Sequence, residues 1–114
     1  MHPEVSIPAI VKGLRDAAND AKLRGVQVFI GTLLPQQAGG CRAHSANHVA
    51  AANDQIRAMA AGDGFVLVDL YQAFGGIAGA NIAIDGLHPT AAGYDRMAEA
   101  FFAAIKERLE TPRR

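Results

Sequence analysis

Asp85 and His88, three positions apart, are the residues in this sequence best placed to move a proton. They stand in Asp85-Gly86-Leu87-His88-Pro89-Thr90, between a glycine-rich segment and an apolar helical run. An acid and an imidazole at this spacing can face each other across a tight turn. The carboxylate then accepts the proton of one ring nitrogen and leaves the other free to act as a base. Pro89 biases His88 toward extended backbone angles, and Thr90 is a natural N-cap for the helix behind it. A loop Asp that caps a turn beside an exposed His has the same spacing, so the pair alone does not decide between the two.

Other reactive residues are few. Cys41, His44 and His48 are spaced Cys-x-x-His-x-x-x-His, a set that could hold Zn²⁺ with a fourth position open. The competing reading is a loop and first helical turn whose histidines face solvent. Cys41 and His44 could also form a thiol–imidazole pair, but a reactive thiolate needs an electropositive setting that the sequence does not display. The only serines are Ser6 and Ser45. Each reads as a helix cap, and Ser45, in Ala43-His44-Ser45-Ala46, lacks the glycines of a strained nucleophile turn. Asp69 closes an apolar run and is expected to hydrogen-bond neighbouring loop amides.

The elements that must position these groups alternate along the chain. Ser6 to Arg24 places Ile7, Ile10, Val11, Leu14, Ala17, Ala18 and Ala21 at steps of three and four, an amphipathic helix capped by Ser6 and stopped by Gly25. Val26 to Thr32 is β-branched and almost continuously apolar, as in a strand buried on both faces. A loop from Pro35 to Ala43 centres on Gly39-Gly40. A second helix follows from Ser45 to Ala61, burying Val49, Ala52, Ile56, Met59 and Ala60, then a second strand from Phe65 to Leu70 and a connection through Gly75, Gly76 and Gly79. The last helix, Thr90 to Glu110, carries Tyr94, Met97, Ala98, Phe101, Ile105 and Leu109 on one stripe. Helices alternating with buried strands predict an α/β fold, a three-layer α/β/α sandwich around a parallel sheet. In such a sheet, reactive groups gather at the carboxyl ends of the strands.

Composition bounds the rest. The chain has 114 residues, half of them hydrophobic, with 11 basic and 11 acidic side chains. That is one ordinary globular domain, with no basic field to hold nucleic acid or an anionic membrane. No apolar run approaches the ~18 residues of a membrane span, and a single cysteine, Cys41, excludes an intrachain disulfide.

The longer string Asp85-Gly86-Leu87-His88-Pro89-Thr90-Ala91-Ala92-Gly93-Tyr94 resembles the last sequence block of SGNH/GDSL hydrolases, Asp-x-x-His-Pro followed by Gly-Tyr. Val26 to Pro35 is similar to that family's fourth strand and its loop. Asn53-Asp54-Gln55-Ile56-Arg57 is similar to the helix before the fifth strand, and Phe65 to Tyr71 to the fifth strand itself. The resemblance implies a flavodoxin-like sandwich, Asp85 and His88 as catalytic residues, hydrolysis of small ester substrates, and no metal or organic cofactor. The family's Gly-Asp-Ser nucleophile block and its oxyanion-hole glycine are not found in the sequence. Neither is its Gly-x-Asn-Asp block: Asn19-Asp20 and Asn53-Asp54 lie in helical patterns with no glycine two places before the Asn. The expectation is the carboxyl-terminal portion of such a domain, truncated before the fourth strand. Its unpaired Val26–Thr32 edge would be completed by an amino-terminal half or by a second copy in a homo-oligomer, most simply a dimer. The alternative within the same fold is a non-catalytic, self-associating module.

Overall fold

The computed structural model describes residues 6–110. Helix α1 spans Ile7–Leu23, with the Ser6 side chain accepting from the Ala9 amide and Pro8 in the first turn. Its end is a Schellman closure: Gly25, at φ +80°, donates to the Lys22 carbonyl, and Val26 donates to that of Ala21. This closure shortens the strand expected from Val26. The Val26 amide is committed to the helix end and its side chain is exposed, so regular β-structure starts only at Phe29. Strand β1 is Phe29–Gly31 and strand β2 is Val66–Val68, paired in parallel with Ile30 opposite Leu67. Hydrogen bonds from Val66 to Val28 and from Thr32 to Val68 extend the ladder by a residue at each end.

Between the strands, α2 spans Ala46–Asp63. Ser45 is its N-cap, accepting from the His48 amide at 3.1 Å. The helix runs through Gly62, where a stop was expected, and ends at Gly64, whose φ of +77° is the left-handed conformation a terminating residue requires. The second strand also ends sooner than its apolar run. The Asp69 side chain accepts from the Gln72 amide and caps a short helix, α3, at Leu70–Ala73. Apolarity alone extends the strand through Leu70, although an N-cap Asp followed three places later by Gln is a helix-start signature.

A 3-10 turn at Gly79–Asn81 leads to helix α4, Ala91–Glu110. Helices α1 and α2 share one core with the sheet: Val11, Ala18, Ile30, Ile56, Met59, Ala60 and Phe65 are all buried in it. On the opposite face Gly31 lies under Leu70 and Phe101, and a smaller cluster joins Phe74, Ala78 and Ile82 to Met97 of α4. The result is the three-layer α/β/α arrangement.

The apolar stripe of α4 is only partly covered. Met97 and Phe101 are half-buried, whereas Tyr94, Ile105 and Leu109 are exposed, as is Phe102. Among the described residues β1 pairs on one side only, and the sheet has two strands. No described helix is long and apolar enough to cross a membrane.

Candidate active site

The turn that carries Asp85 and His88 is closed by its own backbone. Ile82 and Pro89 form an antiparallel bridge, the Ala83 amide donates to the His88 carbonyl at 2.7 Å, and that of Gly86 donates to the Ala83 carbonyl. Gly86, at φ +82°, makes the reversal that a side chain would resist. Within the turn, Asp85 Oδ1 accepts from the Leu87 and His88 amides at 2.9 and 3.0 Å, and Oδ2 contacts His88 Nδ1. The hydrogen bond to His88, then those from the two backbone amides, holds the Asp85 carboxyl well below the ordinary carboxylate range. An ionised carboxylate only accepts, so the proton of the neutral imidazole sits on Nδ1 and the lone pair on Nε2. The His88 side chain is 59% exposed and that of Asp85 24%. The acid is half-sheltered inside the turn and the base projects from it.

Thr90 fixes the start of the last helix. Its hydroxyl donates to the Ala80 carbonyl at 2.7 Å and accepts from the Gly93 amide, so one side chain both caps α4 and ties it to the 3-10 turn. Gly93 packs directly on the Asn81 carbonyl, leaving no room for a Cβ.

A second network stands at the carboxyl ends of the strands. Arg57 of α2 reaches Asp69 through Nε at 2.9 Å and Nη2 at 3.3 Å, and Thr32 Oγ1 donates to the same carboxylate. Burial pulls the Asp69 carboxyl up, but the bonds from Arg57, the Gln72 amide and Thr32 outweigh it and leave the group below its ordinary value. Asp69 therefore bonds a backbone amide of the first turn of α3 where loop amides are expected, and also an arginine that nothing in the sequence pairs with it. Asn53 is 1% exposed and pairs both ways with the Leu33 backbone, accepting at 2.7 Å and donating at 3.1 Å. It acts as a strand partner for the chain leaving β1.

The structure brings Asp85 and His88 into direct contact. Ser6 and Ser45 are N-caps. Cys41 is exposed, and His44 and His48 stack with ring centroids 5.3 Å apart. Face-to-face rings do not converge two lone pairs on one ion, and among the described residues no three His, Cys, Asp or Glu side chains are grouped to hold a metal. A cavity of about 440 Å³ lies beside the Pro35–Ala43 loop, lined in part by Gly40, His44, Ser45, Val49 and Tyr71.

The GDSL-like lipase/acylhydrolase family matches residues 2–96. The chain belongs to that family. Its fold recurs in a GDSL-like lipase from Bacteroides thetaiotaomicron, at 23% identity and TM-score 0.75 over 90% of this chain and 54% of that one. A protein from Bacteroides fragilis assigned as an acylhydrolase gives 25% identity and TM-score 0.78 over 94% and 55%. The esterase domain of a zebrafish retrotransposon's ORF1 protein gives 15% and 0.73 over 90% and 61%. This GDSL-like chain thus spans little more than half the length of the structures it resembles. No curated protein matches it in sequence.

Proposed function

We propose that this chain carries the acid–base half of a GDSL-type ester hydrolase, with His88 as general base, Asp85 as its orienting carboxylate, and a nucleophilic serine that is neither Ser6 nor Ser45. The observation that carries this reading is the Asp85–His88 turn. One carboxylate oxygen is anchored by two amides, the other meets Nδ1, and the His88 side chain is 59% exposed. In the reaction, Nε2 takes the proton of the serine hydroxyl as its oxygen attacks the ester carbonyl carbon, and the imidazolium then protonates the departing alcohol. Water repeats the sequence on the acyl-enzyme and frees the acid. Asp85 fixes the tautomer and stabilises the cation.

The test is complementation. The chain is combined with an amino-terminal half bearing Gly-Asp-Ser from a related enzyme, and hydrolysis of a short aryl ester is followed. His88→Ala should lower the rate about 10²–10⁴-fold and Asp85→Asn by less, because the base moves the proton and the acid only orients it. Full activity in His88→Ala would remove the assignment.

We infer in addition that two copies associate through the bare edge of β1 and the exposed face of α4. Phe102, Ile105 and Leu109 form an apolar surface there, and a two-stranded sheet is marginal without further cover. The chain's net charge is zero, so a second copy approaches without repulsion.

A further inference from the structure

The loop between β1 and α2, legible in the sequence only as a connection, lies directly against the catalytic turn. Gly40 is placed so that a Cβ on it would stand 2.5 Å from the Gly86 Cα and closer still to the Asp85 carbonyl oxygen. A Cβ on Gly86 would meet Gly40 in turn, at 2.9 Å from its Cα. The two glycines are packed backbone on backbone. Two hydrogen bonds flank the contact: the Gln37 amide donates to the Gly86 carbonyl and the Arg42 amide to that of Asp85, each at 2.9 Å.

The reason for glycine differs between the two positions. Gly86 has a positive φ, so its backbone conformation alone favours glycine. Gly40 is not among the glycines of positive φ. Space alone excludes a side chain there, and the atoms that exclude it are the main chain of Asp85 and Gly86, which cannot swing aside as a flexible side chain would. The loop is itself held at both ends. Asn53 clasps the Leu33 backbone, and Gln36 Oε1 accepts from the His44 amide at 2.6 Å.

We propose that Gly40 is a positioning residue for the Asp85–His88 pair, and that the 35–43 loop is a brace whose two amides and bare Cα set the height and tilt of the catalytic turn. The proposal rests on the functional reading above. Hydrogen bonds inside the turn bring Asp85 and His88 near each other, whereas the brace fixes Asp85 through its own carbonyl. A side chain at position 40 drives that carbonyl outward, separates Oδ2 from Nδ1, and releases the imidazole to its unconstrained tautomer mixture.

The experiment reads the tautomer of neutral His88 from long-range proton–nitrogen NMR spectra of the purified chain, in wild type, Gly40→Ala and Gly13→Ala. Gly13 lies in α1 with nothing within 4 Å of a built Cβ, so its substitution controls for losing a glycine as such. Wild type and Gly13→Ala should hold the proton on Nδ1, and Gly40→Ala, folded as judged by its amide spectrum, should lose that preference. A wild-type tautomer in folded Gly40→Ala overturns the brace and leaves the functional reading intact. A wild-type ring with its proton on Nε2 overturns both. Where Gly40→Ala does not fold, hydrogen exchange on the wild type decides. The Gln37 and Arg42 amides should be protected together with those of Leu87 and His88, as one opening unit, and their exchange at unprotected rates refutes the brace.

Discussion

Replacing Asn53 by Ala tests how the carboxyl-terminal edge of the sheet is held. The side chain is 1% exposed and makes two hydrogen bonds to Leu33, a half-buried residue. Each bond contributes about 1 kcal/mol net, and a buried amide left unpaired costs about 1–3 kcal/mol unless water reaches it. Two lost bonds and the Leu33 groups they leave unpaired make the expected loss about 2–3 kcal/mol. Urea denaturation followed by far-ultraviolet circular dichroism measures it as a fall of about 1–2 M in midpoint at unchanged slope. Asp54→Ala serves as reference. It removes an exposed carboxylate paired with Arg57 on the same helix and should cost less than about 1 kcal/mol. If Asn53→Ala matched Asp54→Ala, the clasp on Leu33 would contribute nothing to stability and the account of how the brace is anchored would fail.

Ser45→Ala should cost about 1 kcal/mol through loss of the α2 N-cap and leave any hydrolysis of aryl esters by the isolated chain unchanged; stoichiometric labelling of Ser45 by a serine-reactive phosphonate would show that it is a nucleophile instead. Light scattering of the purified chain at micromolar concentration should give the mass of two copies. Introducing Lys at both Phe102 and Ile105 should shift that mass toward one copy, and a cooperatively folding wild-type monomer would contradict the association.

What the sequence made legible was local. The caps at Ser6 and Ser45, the Gly25 stop and the Asp85–His88 turn each depend on residues within a few positions of one another, where propensity and hydrogen-bond geometry are sufficient. Strand lengths were overestimated because a run such as Val26 to Thr32 reports apolarity, while pairing depends on which amides are already engaged. The Val26 amide belongs to the end of α1 and Asp69 belongs to the start of α3. The α4 stripe is fully visible in its periodicity, yet Tyr94 and Leu109 lie bare, since periodicity says which face is apolar and nothing about what covers it. The contacts of Asn53 with Leu33, of Arg57 with Asp69 and of Gly40 with Gly86 were invisible because each joins positions at least 12 apart. The one faint signal was Gly39-Gly40, two adjacent glycines of which only the first has a positive φ.

The short span of the Asp85–His88 turn has a consequence for how the acid and base meet. Joining groups three residues apart closes a very small loop, whereas the Arg15–Asp63 contact must bring together positions 48 apart. The entropy of closure grows with the logarithm of that separation, so the two groups are neighbours even in loosely ordered chains, and the tertiary structure has only to sharpen their geometry. The stretch from Ile82 to Pro89 is in this sense a portable cassette. Set between a helix start that accepts Thr90 and a backbone surface flat enough to meet Gly86, it should bring its carboxylate and imidazole into register on a scaffold that shares nothing else with this one.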